Sequence, residues 1–428
     1  MLLFALALAP AARADAPALT GRWVVAVDRL GVTDYYNVRL VQNGDQLSGD
    51  FDGDPVTGTV RDGAIAFLGK DSQGGFEDVR ATLVNGALTG TVTMAFSGAA
   101  DHPSQYKITA ARVVEHHGPP RKHDFVPSVF HRTFAATTPP VLTIAPGDTI
   151  VTSTVDAGGF DAKGTPRVAG GNPQTGPFFV DGALPGDTLV VHIDKLKLNR
   201  GSAISSDGIA SRAKDGKLAI DMKDTGKQVR WKLDLARGVA TSEAPGAHLG
   251  AYAVPVRPML GCVGVAPSPA AAAPGTGDSG SWGGNLDYND IVEGATVYLP
   301  IYNPGALLYV GDGHAAQGDG ELTGDALETS MDVQITVHVI PGKRPPSPRV
   351  ESASHLAAIG LAGSLDDAFK AATANMAAWL GERYQLTPSE IAQVLGTAAE
   401  YRVSEVPDRN AGIVLRLAKD RLRGLAAR

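Results

Sequence analysis

Leu184-Pro185-Gly186-Asp187-Thr188-Leu189-Val190-Val191-His192-Ile193 decides the reading of the fold. A Pro-Gly-Asp turn pre-sets one backbone angle with proline and supplies a positive one with glycine. It then opens directly into a β-branched run, as at a hairpin or sandwich corner. The same grammar occurs upstream, where Val141-Leu142-Thr143-Ile144 leads to Pro146-Gly147-Asp148 and then to Thr149-Ile150-Val151-Thr152-Ser153-Thr154-Val155. A looser echo is Val292-Glu293-Gly294-Ala295-Thr296-Val297-Tyr298-Leu299. Three turn-then-strand units without helices between them predict one large β-sandwich over residues 120–340 rather than alternating βαβ units.

Outward from this core, residues 19–114 read as a separate accessory β domain. Gly21-Arg22-Trp23-Val24-Val25-Ala26-Val27 starts a strand, and Tyr36 to Val41 alternates with period two. Tight-turn signals recur at Asn43-Gly44, Asp52-Gly53, Asp62-Gly63 and Asn85-Gly86, so a small antiparallel barrel or curled sheet is expected. His116-His117-Gly118-Pro119-Pro120 reads as a linker whose histidines are solvated. Helical periodicity appears only in residues 341–428. Leu365, Ala368, Phe369, Ala372, Met376 and Leu380 share a face. Thr387-Pro388-Ser389-Glu390 caps a second helix, expected to run to about Tyr401, and Ile413 to Leu417 closes with a strand. This C-terminal α/β part is expected to pack on the sandwich as structure rather than chemistry. The expected fold is thus mainly β: a jelly-roll-like sandwich core, a C-terminal α/β part and a small N-terminal β domain.

Composition excludes some functions. The formal net charge is -7, with no clustered Lys and Arg, so nothing favours nucleic acid. Leu2 to Ala11 is a short apolar run before Ala12-Arg13-Ala14, which resembles a signal peptide over residues 1–14; a periplasmic or secreted protein is expected. No later run is long enough for a membrane span. The single cysteine, Cys262, excludes an intramolecular disulfide framework.

Chemistry concentrates between Gly311 and Glu328, where Asp312, His314, Gln317, Asp319, Glu321, Asp325 and Glu328 lie among glycines. Such oxygen and imidazole donors suit a divalent cation, Zn²⁺ first and Ca²⁺ as the alternative. On residue types alone a solvated acidic loop is an equal reading. Cys262 as nucleophile, with a histidine such as His248, is disfavoured by its small apolar neighbours. No Gly-x-Ser-x-Gly elbow stands between a strand and a helix. Gly275 to Gly280 is no dinucleotide fingerprint, since no helix follows.

Three phrases carry a resemblance: Gly171 to Asp187; Trp282-Gly283-Gly284-Asn285-Leu286-Asp287 followed by Leu299-Pro300 and Pro304-Gly305-Ala306-Leu307; and Gly-Asp-x-His-Ala-Ala-Gln-Gly-Asp-Gly-Glu at 311–321. Together the chain resembles the acetamidase/formamidase family over residues 120–428. The resemblance implies hydrolysis of small linear amides to ammonia and a carboxylate, with a divalent metal bound. It raises His131 and Asp156 as metal ligands beside Asp312 and His314. Glu321 or Glu328 would serve as general base, and Asn285 or Gln317 as donor to the oxyanion, worth about 3 kcal/mol for one well-placed group. Asp287 and Asn172 would contact substrate. Where relatives carry a tryptophan and an acid after the first histidine, His131-Arg132-Thr133-Phe134 stands here, which leaves the preferred amide open. The competing reading is a non-catalytic exported sandwich that binds a small ligand. The residues leave the oligomeric state open, with a homo-oligomer as one of the readings.

Overall fold

The computed structural model describes residues 19–114, 116, 118–222 and 225–425. The expected signal segment and His117 of the linker lie outside them. The chain divides into two compact units, one up to Val113 and one from Val114.

The first unit is a closed barrel of eight strands in sequence order, from Gly21–Arg29 to Ser104–Arg112, each hydrogen-bonded to the next and the last to the first. Closure leaves no unpaired edge. Alternate residues point inward, and Trp23, Leu40, Phe51, Phe67 and Val92 fill the interior as a packed core.

The second unit is a sandwich of an eleven-stranded and a nine-stranded sheet. The two Pro-Gly-Asp turns explain how its strands start. At each, the aspartate N–H donates to the carbonyl three residues back, Ala145 or Leu184, at 3.0 Å. Its carboxylate accepts that same residue's N–H, also at 3.0 Å. Gly147 and Gly186 sit at φ +95° and +94°, the left-handed position such a turn demands. Strands Thr149–Ser153 and Thr188–Leu198 then enter the nine-stranded sheet. One core lies between the sheets: Ile150, Leu189, Val191 and Ile335 from one face Val263, Val265, Leu308 and Val310 from the other.

Two strands of the eleven-stranded sheet, Met259–Val265 and Leu308–His314, are buried at every residue. Their sandwich face meets the main core, while Cys262 and Tyr309 pack on the other side against Phe134. A loop layer over the outer face thus removes the polar alternation of an exposed sheet.

The C-terminal part differs from the sequence reading in three respects. Strands His355–Ala362, Ala399–Glu405 and Ala411–Ala418 extend the nine-stranded sheet instead of packing on it. Helix Leu365–Tyr384 buries Ala368, Ala372, Met376 and Leu380 as expected, but Phe369 is 46% exposed and stacks on Tyr401. Trp379 takes its place in the core. The second helix, Pro388–Ala398, has the full capping box of Thr387 and Glu390 yet ends before Tyr401, which lies in a strand. Among the described residues no helix is long and apolar enough to cross a membrane.

Candidate active site

Three backbone features bring the site together. Strand Leu308–His314 delivers Asp312 and His314, with Asp312 in the left-handed region at φ +57°. The loop after strand Gly283–Asn285 hangs from the carbonyl of Gly261, which accepts the N–H groups of Leu286 and Asp287 at 2.9 and 3.1 Å. Gly261 itself keeps the centre open. A Cβ there would fall 2.6 Å from Asp287 Oδ1, 2.8 Å from His314 Cε1 and nearer still to Asp312 Oδ2. Glycine is required here for space, since real side chains do not approach so closely.

His314 is wholly buried. Its Nδ1 lies 2.8 Å from Gln317 Oε1. Gln317 is oriented in turn by its amide nitrogen, which donates to the carbonyls of Asp287 (2.5 Å) and Ser404 (3.3 Å). The oxygen it offers His314 can only accept, so Nδ1 carries a proton in either charge state and Nε2 is the nitrogen that exchanges its proton or could meet a cation. That Nε2 stands at ion-pair distance from both Asp312 Oδ1 (3.2 Å) and Glu328 Oε1 (3.1 Å), with no well-formed hydrogen bond to either. Asp287 Oδ1 and Glu328 Oε2 are likewise buried without one.

Two ligands each about 2.1 Å from one tetrahedral ion stand roughly 3.4 Å apart. Asp287, Asp312 and His314 present one atom each within 4.8 Å of one another, as do His314, Glu321 and Glu328, and as do Asp287, Glu405 and Asp408. Unpartnered buried donor atoms at such spacings fit a divalent cation, because buried carboxylates otherwise lack a compensating charge.

The electrostatics show the same imbalance. Burial resists charge on His314, but Glu328 and Asp312 outweigh it and push its pKa well up. Burial also opposes the Asp312 carboxylate, yet His314 and the Asn172 amide hold its pKa below the ordinary value. Burial drives Glu328 up to about 7. Burial and then its carboxylate neighbours raise Asp287, Glu321 and Glu405 well above their usual range. Cys262 is held as a neutral thiol, its pKa raised by burial and then by Asp312 and Asp287, and His248 is exposed elsewhere. That removes the conditions for a thiolate nucleophile.

Of the four expected metal donors, Asp312 and His314 converge, while His131 and Asp156 stand in none of the donor groups found among the described residues. His131 pairs through its backbone with Gln174, and its ring packs edge-on to Tyr309 at 6.3 Å. Asp156 pairs with Arg200 Nη2 at 2.5 Å and accepts the Phe160 N–H at 2.9 Å. Asn285 and Gln317 have their amide hydrogens committed: Asn285 donates to Asp287 Oδ2 (2.6 Å) and Asp408 Oδ2 (2.9 Å), and its oxygen accepts from Asn172 at 2.5 Å. Asn285 therefore organises the carboxylates.

Glu405 and Asp408 are the residues that sequence reasoning missed, since the C-terminal part was expected to be structural only. The segment joining strands Ala399–Glu405 and Ala411–Ala418 is tied to the glycine-rich run by Gly320 N–H to Val403 O (2.9 Å) and Val406 N–H to Gly320 O (3.0 Å). A charged residue in Val403-Ser404-Glu405-Val406 is the one signal that pointed there.

A cavity of about 850 Å³ opens onto this cluster, lined among others by Asp156, Asn172, Arg200, Asp312, Glu328 and Asp408.

A two-sheet β-sandwich with a buried acid–imidazole cluster opening onto a cavity defines a β-sandwich protein with a polar ligand or reaction pocket. Residues 120–276 and 270–348 match the model of the Acetamidase/Formamidase family, and the chain belongs to that family of amidohydrolases. Similar solved structures include a predicted acetamidase/formamidase from Thermoanaerobacter tengcongensis, 28% identical with a TM-score of 0.61, covering 72% of this chain and 99% of that one. An acetamidase from Bacillus halodurans is also 28% identical, with a TM-score of 0.60 over 71% of this chain and 99% of its own. An acetamidase from Yersinia enterocolitica is 27% identical, with a TM-score of 0.61 over 71% and 94%. A putative formamidase from Schizosaccharomyces pombe is 49% identical over 41 residues, a stretch that spans 10% of either chain.

Proposed function

We propose that the protein hydrolyses linear carboxamides to ammonia and a carboxylate at the His314 cluster, with a divalent cation bound there. The observation that carries this reading is the buried His314 Nε2 set between the carboxylates of Asp312 and Glu328 without a well-formed hydrogen bond to either. Asp312, His314 and Glu328 would hold the cation, with Asp287 or Glu321 completing the set; Zn²⁺ suits the mixed nitrogen and oxygen donors. Such an ion supplies polarisation of the amide carbonyl and a lowered pKa for water.

The chain's own groups do the rest. Gln317 fixes the tautomer of His314, a supporting contact of the kind that commonly changes metal affinity ten- to a hundredfold. Glu321 and Glu328 are buried carboxyls whose burial raises their proton affinities above the usual carboxylate range, against the pull of His314. With Asp287 completing the ligand set, Glu321 is left to accept a proton from water and to return it to the departing nitrogen. Asn172 lines the cavity beside Asp312, where it would meet the substrate amide, while Asn285 holds Asp287 and Asp408 in place. The Leu2–Ala14 segment supports a site of action outside the cytoplasm.

The test is ammonia release from formamide, acetamide and propionamide by enzyme reconstituted with Zn²⁺, beside His314→Ala. Release that depends on both the ion and His314 supports the reading. A Zn²⁺-loaded protein that releases no ammonia from any of them would refute it.

A further inference from the structure

Formamide or acetamide would fill only a small corner of the 850 Å³ cavity, whose size is typical of sites that enclose drug-sized ligands. What lies beyond the carboxylates is set by strand register. His314 stands opposite Glu328, Glu328 opposite Ile204, and Ile204 opposite Arg230. Directly opposed residues of antiparallel strands present their side chains on the same face. The four thus form one row across four strands: imidazole, carboxylate, apolar side chain, guanidinium. At about 4.8 Å per strand, the backbone of Arg230 stands roughly 10 Å from that of Glu328.

Strand Gln228–Asp234 confirms the direction by alternation. Gln228 and Arg230 line this cavity, whereas Val229 and Trp231 line a separate, largely apolar one. Arg230 has only a loose partner, Glu243 at 3.6 Å, and its side chain is 73% exposed. Arg409, also on the cavity wall, is 83% exposed and 3.5 Å from Asp278. Arg200, by contrast, is spent on Asp156. Arg230, a guanidinium without a tight partner, therefore faces the cavity two strand spacings from the candidate reaction centre.

We propose that the substrate is a carboxamide carrying an anionic group at the far end of a short apolar chain, an ω-amic acid in chemical class. The amide sits at Glu328 and Asp312, the methylenes cross Ile204, and the distal carboxylate is read by Arg230. This inference rests on the amidase reading above. The reaction balances as water plus the amic acid giving the dicarboxylate and ammonium, with the C–N bond broken and a C–O bond formed.

The experiment compares glutaramate, its uncharged counterpart pentanamide, and acetamide as substrates of the Zn²⁺-loaded full chain, in wild type, Arg230→Gln and Arg230→Glu. Arg230 is exposed, so neither variant should disturb folding. The expected result is a kcat/KM for glutaramate at least tenfold above that for pentanamide. Arg230→Gln should abolish the preference, Arg230→Glu should reverse it, and acetamide hydrolysis should be unchanged. The preference should also shrink as salt rises. Hydrolysis of acetamide and pentanamide with no preference for glutaramate, or a preference indifferent to Arg230, overturns this inference and leaves the amidase reading standing. Hydrolysis of none of the three refutes the amidase reading and this inference with it.

Discussion

At the residue scale the site turns on atoms that burial leaves without hydrogen bonds. His314 Nε2, Asp287 Oδ1 and Glu328 Oε2 are enclosed, and an unmade hydrogen bond in such a place costs about 1–3 kcal/mol. A cation shared among them would remove that cost, and Gln317→Ala should then weaken Zn²⁺ binding about ten- to a hundredfold by freeing the imidazole tautomer. Metal-binding calorimetry at fixed pH measures this. Proton linkage gives a second expectation. Glu328 has its pKa raised to about 7 in the folded, metal-free protein, above its ordinary 4.5. The folded state then binds more protons than the unfolded one between those values. Stability is therefore greatest below about 4.5 as far as this group is concerned, and falls as pH rises through 7. Denaturant unfolding of the metal-free protein should lose stability over that interval, and Glu328→Gln should flatten the dependence. An unchanged slope in the variant would show that Glu328 is not the group responsible.

At the element scale, glycines and caps do separable work. Gly261 gives the centre its space, so Gly261→Ala should abolish Zn²⁺ binding while far-ultraviolet circular dichroism stays β-rich. The capping box at Thr387 serves only helix Pro388–Ala398, so Thr387→Ala should lower unfolding free energy by about 1 kcal/mol and leave ammonia release unaltered. These elements were also the most legible in sequence. Pro-Gly-Asp turns, Asn-Gly turns and the capping box are local patterns with local physics, and the turns and caps they predict are present. Phe369 was misplaced because helical spacing identifies a stripe but not which flank of it meets the sheet. The second helix stops short of Tyr401 because strand pairing with Ala411–Ala418 competes for those residues, a contact no local window contains.

At the scale of the whole molecule, the cluster unites residues from distant parts of the chain, and its legibility falls with that distance. Asp312, His314, Gln317, Glu321 and Glu328 lie within one glycine-rich run, which residue types alone marked as dense in donors. Glu405 and Asp408 reach the site only because the C-terminal strands extend the nine-stranded sheet. His131 and Asp156 were suggested by resemblance, and the fold directs one ring to Tyr309 and the other carboxylate to Arg200. The division into two units carries its own expectation. The donor cluster belongs wholly to the unit from Val114 onward, so Zn²⁺ at about 100 times its dissociation constant should stabilise that unit by roughly 2.7 kcal/mol. Scanning calorimetry should show one transition moving with added ion, while the barrel's transition stays where it is.

The most direct measurement of the central claim is ammonia release from acetamide by a single preparation before chelation, after chelation and after Zn²⁺ is restored, with His314→Ala carried through the same cycle. The account predicts activity that disappears with the ion, returns with it, and is absent from His314→Ala throughout. Undiminished hydrolysis by the metal-free wild type would contradict it.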